Sequence, residues 1–170
     1  MLYIGTLIEE DDDAVKLKRW QDKLIVGLAT GGFAGYAPVA PGTFGSIVGL
    51  GLAWMVGSVA LMWQVVLVLL LGGVGVWVSD AACRLFRKAD SGRVVIDEIV
   101  GMLITMIGIP CTGYWLVVGF LVFRFFDIFK LPPASFFDRK LKNGWGVMLD
   151  DGVAGIYANI LLNLMLRAQI

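Results

Sequence analysis

The sequence predicts an all-α fold: a polytopic membrane helical bundle with about five spans and one further short helix, interfacial or re-entrant. Three observations lead there. Of 170 residues, 58% are hydrophobic and only 16% are charged, against roughly 25% charged in ordinary soluble domains. No charged residue occurs from Leu24 through Ser79, nor again from Ile99 through Phe123. The lysines and arginines gather in separate segments, and the turns between neighbouring apolar runs are neutral.

Residues 1–23 form a polar tail. The acidic run Glu9 to Asp13 precedes Lys16, Lys18, Arg19 and Lys23. This lacks the basic start and apolar core of a signal peptide and reads as a solvated tail leading into a basic surface helix. Residues 24–170 are expected to form a single membrane-embedded catalytic domain. One helix needs only ~20 residues to span a bilayer, so the long uncharged run must fold back. Pro38, Pro41 and Gly42 break it early, and Gly57, Ser58, Trp63 and Gln64 interrupt it again. The expected elements are a short apolar helix near 24–36, a loop at 37–43, and spans near 44–60 and 62–79. The stretch GIPCTG at 108–113 divides the second run into spans near 97–109 and 114–129, and the last span lies near 151–167. Ile99 to Ile109 is short against the usual ~17–25 residues. Either its polar end lies in a protein-lined cavity or the bilayer there is thin. The chain has 22 glycines, many inside the spans. Small residues let membrane helices approach closely, so the bundle should be compact.

Basic residues set the orientation. Arg84, Arg87, Lys88 and Arg93 occupy the 80–96 loop, and Lys130, Arg139, Lys140 and Lys142 the 130–150 loop. The connections at 57–62 and 108–113 carry no charge. Five crossings with the N-terminus and both basic loops in the cytoplasm satisfy this pattern.

Four motifs then fall at the cytoplasmic ends of spans. In APVAPGTFGS (37–46), Thr43 and Ser46 are three apart on an expected first turn. A helix start offers free N–H groups to an anion, although Thr or Ser there is also an ordinary cap. VVIDEIVGM (94–102) places Asp97 and Glu98 at the mouth of a span. Helix-dipole stabilisation accounts for one acid, and acids at a membrane edge are functional candidates. FRFFDIFK (123–130) spaces Arg124, Asp127 and Lys130 by three, which suits either an internal ion pair or a phosphate-plus-metal site. FFDRKLKNGWGVMLDDGVAG (136–155) supplies Asp138, Arg139, Asp150 and Asp151. Asp150 could cap the last span, which leaves Asp151 unexplained.

Asp97, Glu98, Asp127, Asp138, Asp150 and Asp151 are together a donor set for a hard cation. Mg²⁺ takes oxygen ligands and binds through a few carboxylates plus substrate phosphate. Arg124, Lys130 and Arg139 match a phosphate's charge. The chain has no histidine, which excludes a phosphohistidine intermediate, a Ser-His-Asp triad and imidazole ligands. Cys83 and Cys111 lack an arginine six residues on, Ala89 and Val117 standing there, so no Cys-x5-Arg loop exists. DDDAV (11–15) matches an aspartyl-phosphate pattern but lies in the polar tail. Metal-activated water is the favoured nucleophile, with an aspartate the alternative. Zero net charge gives no electrostatic reason for nucleic-acid binding.

The series PGTFGS, IDEIVGM, FRFFDIFK and FFDRKLKNGWGVMLDD, in this order from about residue 20 to about 165, resembles the phosphatidylglycerophosphatase A family of bacteria. That resemblance implies a Mg²⁺-dependent lipid phosphatase of the inner membrane, with its site facing the cytoplasm. Such an enzyme converts phosphatidylglycerophosphate to phosphatidylglycerol and phosphate. On this reading Asp97, Glu98, Asp127 and Asp151 are the expected catalytic residues. Thr43, Ser46, Arg124, Lys130 and Arg139 are the expected phosphate-binding residues. One departure is visible: Leu131 separates Lys130 from Pro132, where the family often has proline directly. Two other readings are kept. A CDP-alcohol phosphotransferase would need a long aspartate motif of which DDGVAG is only a fragment. A small cation transporter would place its acids nearer mid-span.

Overall fold

The computed structural model describes residues 19–87, 91–132 and 143–168, and the described residues are helical without strands. The six helices are α1 (Trp20–Ala29), α2 (Pro41–Val56), α3 (Leu61–Leu85), α4 (Ile96–Met106), α5 (Gly113–Phe129) and α6 (Gly144–Ala168), with a 3₁₀ turn at Ala34–Tyr36.

Local chemistry explains where each helix differs from the sequence expectation. The first helix covers 20–29 rather than 24–36, because Gly31, Gly32 and Phe33 all take positive φ and unwind the chain. It therefore crosses the expected tail boundary at residue 23, while residues 1–18 lie outside the described residues. Helix α2 begins at Pro41 rather than 44. Proline at the first helical position is already fixed in helical φ and has no N–H to leave unbonded, and no side chain caps this end. The break after α2 closes through Gln64, whose Nε2 donates to the Val59 carbonyl at 2.8 Å. Helix α3 then continues to Leu85, past the expected end at 79. The last helix begins at Gly144, not 151. Asn143 Oδ1 accepts the Gly146 N–H at 3.2 Å, and Asp80 Oδ1 accepts the Gly144 N–H at 2.5 Å. These two caps satisfy donors that an α-helix start leaves open.

Helix α4 is the hub. Ile99, Val100, Met102, Leu103 and Met106 are buried in the core, with α2, α3, α5 and α6 packed around it. Its 11 residues rise only about 16 Å, so its C-terminal carbonyls end inside the apolar bundle. Asn159 of α6 receives them, Nδ2 donating to Thr105 O at 3.0 Å and to Ile107 O at 2.8 Å. Gln64 Oε1 accepts the Gly108 N–H at 3.1 Å. Unbonded polar backbone in an apolar surround would cost a few kcal/mol per group, roughly 2–7 by transfer data. These two amides remove that cost, and the short apolar run needs no thin bilayer to explain its polar end.

Close glycine contacts set the helix spacing. A Cβ on Gly49 would come within 2.8 Å of Ile99 O, and one on Gly101 within 2.8 Å of Asp151 O. A Cβ on Gly155 would enter the Gly101 carbonyl itself. Helices α4 and α6 thus cross glycine to glycine.

The molecule's outer surface is apolar. Leu69, Leu70 and Trp77 of α3 and Leu121, Phe125 and Ile128 of α5 are exposed. Two helices, Leu61–Leu85 and Gly144–Ala168, are long and apolar enough to cross a membrane, and only 22% and 39% of their most apolar windows is buried. The other helices are 10, 16, 11 and 17 residues long.

The crossing can be tested by stability. Gly155→Ala should lower the unfolding midpoint in detergent, at a cost of about 1–3 kcal/mol, because overpacking forces backbone apart. Gly152→Ala, whose methyl would meet nothing nearer than Ile104 at 3.9 Å, should hold or raise the midpoint. Equal midpoints for the two variants by scanning fluorimetry would contradict a glycine-to-glycine crossing.

Candidate functional site

The polar groups converge where the starts of α2, α4 and α6 meet the ends of α3 and α5. Asp97 and Glu98 lie in the first turn of α4. Asp151 lies two turns into α6, because that helix starts earlier than the sequence suggested. Asp150 is therefore not its N-cap, and Asp151 does not come from its first turn. One ligand oxygen from each of Asp97, Glu98 and Asp151 lies within 4.8 Å of the others. Asp97 Oδ1 and Glu98 Oε2 are buried with no hydrogen-bond partner. Two unit charges at this separation repel by about 3–4 kcal/mol at an effective dielectric of 20. Among the described residues no lysine or arginine forms a salt bridge with Asp97 or Asp151. An all-oxygen set with unpartnered, buried atoms is the chemistry a hard cation satisfies.

The glycine crossing makes this convergence possible. Asp97 lies one turn before Gly101, and Asp151 one turn before Gly155. Residues four apart share a helix face, so two backbones touching at the glycines carry both acids to one point.

The remaining acids are matched with cations. Asp127 bonds Arg124 at 2.5 Å and also faces Asp151 and Glu98. Asp150 pairs with Lys130 at 2.7 Å, and its Oδ1 accepts the Asp151 N–H at 3.1 Å. The expected stripe Arg124, Asp127, Lys130 is thus only partly helical. Helix α5 stops at Phe129, and Lys130 takes a left-handed φ of 43°, leaving the stripe to meet α6. The Leu131 departure is accommodated here: Tyr157 Oη donates to the Pro132 carbonyl at 2.6 Å and holds the turn.

The start of α2 also differs from expectation. Gly42 has no Cβ, and the volume a Cβ would take is occupied by Glu98 Oε1, with Arg124 Nη1 3.4 Å away. The helix start that was expected to receive phosphate seats a carboxylate of the protein, Glu98. Ser46 is buried, donates to Gly42 O at 2.8 Å and accepts from Arg124 Nη1 at 3.3 Å. Thr43 is half-buried on the same turn. Asp138 and Arg139 lie outside the described residues. Cys111 sits in the turn before α5, where its Sγ donates to the Ala53 carbonyl at 3.4 Å.

Three contributors escaped the sequence reading: Gly42, the Gly101–Gly155 pair, and Asp80 as a cap. Only the pair left a signal, since DEIVG (97–101) and DGVAG (151–155) repeat one acid-to-glycine spacing.

Fold and site together define a small all-α protein with a carboxylate cluster at one end of an apolar bundle. The chain belongs to the phosphatidylglycerophosphatase A (PgpA) family, whose pattern matches residues 27–166. It is 36% identical over 132 residues to phosphatidylglycerophosphatase A of Escherichia coli K12, covering 76% of each chain. It is 38% identical to the Haemophilus influenzae Rd protein of that name, covering 79% of this chain and 84% of that one. A Bacteroides thetaiotaomicron protein, provisionally named phosphatidylinositol-3-phosphatase, is 37% identical, covering 82% of this chain and 91% of its own. No solved structure matches the chain.

Asp80→Ala should remove the α6 cap and lower the thermal midpoint by an amount equivalent to about 0.5–2 kcal/mol. Asp80→Asn, which keeps an acceptor oxygen, should lose less. A midpoint unchanged in Asp80→Ala would show that the Gly144 N–H finds another acceptor.

Proposed function

We propose that the chain is a multi-pass inner-membrane phosphatase. It hydrolyses phosphatidylglycerophosphate to phosphatidylglycerol and inorganic phosphate at the cytoplasmic face, with Mg²⁺. Family membership supports the phosphatase reaction. The observation that carries the metal is the meeting of Asp97, Glu98 and Asp151 with two buried, unpartnered oxygens.

Membrane embedding is supported by the outward-facing apolar surfaces of α3 and α6. In this reading α2 to α6 make five crossings, α4 together with its following turn, and Arg84, Arg87, Arg93 and Lys130 mark the cytoplasmic end. Helix α1 lies in the interface. Its exposed Trp20, Leu24 and Leu28 form a stripe opposite the buried Val26 and Ala29, as an interfacial helix requires.

Asp97, Glu98 and Asp151 would hold the ion, with Asp127 beside them. When bound, Mg²⁺ supplies charge neutralisation and polarisation of the phosphoryl group. Arg124 and Lys130 bind phosphoryl oxygens, and Arg139 adds a third cation. Glu98, fixed against Gly42, orients the attacking water and accepts its proton. The water oxygen bonds to phosphorus, the bond from phosphorus to the glycerol oxygen breaks, and that oxygen takes a proton from solvent. Excluding histidine and a reactive cysteine loop leaves this carboxylate chemistry as the simplest route.

The test is phosphate release from phosphatidylglycerophosphate in mixed micelles, with and without EDTA. Chelation should stop turnover, and Asp97→Asn and Asp151→Asn should each reduce it by about 100-fold or more, with unchanged thermal midpoints. Near-normal turnover in both variants would sink the assignment. The Bacteroides relative makes a phosphoinositide monoester the second headgroup to assay. Faster release from phosphatidylinositol 3-phosphate would keep the chemistry and change the substrate.

A further inference from the structure

Arg124 lays its guanidinium over the first turn of α2. Two protein oxygens converge on one of its nitrogens: Nη1 forms an ion pair with Asp127 Oδ2 at 2.5 Å and donates to Ser46 Oγ at 3.3 Å. A guanidinium carries five donors in one plane, two on each Nη and one on Nε. Nη1 is therefore held by protein from two sides. Among the described residues, the edge formed by Nε and Nη2 has no bond. That edge presents two parallel N–H groups, the geometry of bidentate phosphate recognition.

The Ser46 hydroxyl has a fixed direction. Its one proton goes to the Gly42 carbonyl one turn back, at 2.8 Å, so towards Arg124 it can only accept. The side chain is fully buried, and its proton is not available to a phosphate oxygen. In this arrangement the Ser46 hydroxyl is engaged within the protein, with Gly42 and Arg124.

We propose that Ser46 is a positioning residue. With Asp127 it clamps Nη1, so that the Nε–Nη2 edge of Arg124 is presented to the phosphoryl group of the lipid monoester. This rests on the phosphatase reading above and adds to it which residue aims the arginine and which edge binds.

The experiment measures phosphate release from phosphatidylglycerophosphate at varied mole fraction in mixed micelles, at saturating and at varied Mg²⁺. Ser46→Ala should raise KM about 5- to 20-fold, as expected for losing a hydrogen bond to a charged group. The change in kcat should be small and the Mg²⁺ dependence unchanged. The pair Ser46→Thr and Ser46→Val share one shape and differ only in the hydroxyl, so packing strain affects both. KM should rise in Val relative to Thr. Arg124→Lys lacks the planar fork and should raise KM by itself. Adding Ser46→Ala to it should then change KM less than about twofold, because residues acting through one another are not additive. Multiplying effects in the double variant, or equal KM in the Thr and Val variants, would overturn this inference alone. Failure of the wild-type protein to release phosphate from any lipid monoester would overturn the phosphatase reading and this inference with it.

Discussion

The contact on which the rest of the structure depends is the backbone approach of Gly101 to Gly155. Carboxylates on separate helices can meet only if their backbones are close, and a side chain at either glycine would separate them. Here the Gly101 carbonyl lies where a Gly155 side chain would begin. The same turns of α4 and α6 carry Asp97 and Asp151. Packing and site are thus one geometric fact: the register that buries Met102, Phe123 and Leu162 also brings the acids together.

Around this crossing, most buried polar groups among the described residues have a partner; Ser79 Oγ, Asp97 Oδ1 and Glu98 Oε2 do not. The short hub helix ends against Asn159 and Gln64. The start of α6 is received by Asp80 and Asn143. Arg124 and Lys130, the described basic side chains nearest the carboxylates, are each drawn to an acid of their own, Asp127 and Asp150. Against this background the unpartnered oxygens of Asp97 and Glu98 are conspicuous: buried polar atoms are normally bonded, and exceptions call for an explanation.

Much of this was legible in the sequence. The breaks at Pro38–Gly42, Gly57–Gln64 and 108–113 mark real turns, because Gly, Pro and polar residues interrupt apolar runs for local steric reasons. The membership of Asp97, Glu98 and Asp151 in one cluster was also readable, since charge is rare in such a chain and rarity makes position informative. Helix ends were read less well. Composition suggested that α6 starts at the aspartates, but Asn143 and Asp80 start it two turns earlier, and Asp80 is remote in sequence. The partner of Lys130 was hidden for a similar reason: an i, i+3, i+6 spacing assumes an unbroken helix, whereas the left-handed turn at Lys130 sends its side chain across to α6. Gly42 could not be recognised because the group that fills its missing side-chain volume belongs to another helix.

The seals at the two ends of the bundle differ in kind. Those around the end of α4 are carboxamides, Gln64, Asn159 and Asn163, which carry no charge at any pH. Those at the opposite end are built from carboxylates, an ammonium and a guanidinium. The amide seals keep their hydrogen bonds at any pH, whereas the contacts at the carboxylate pole depend on which of their partners are charged.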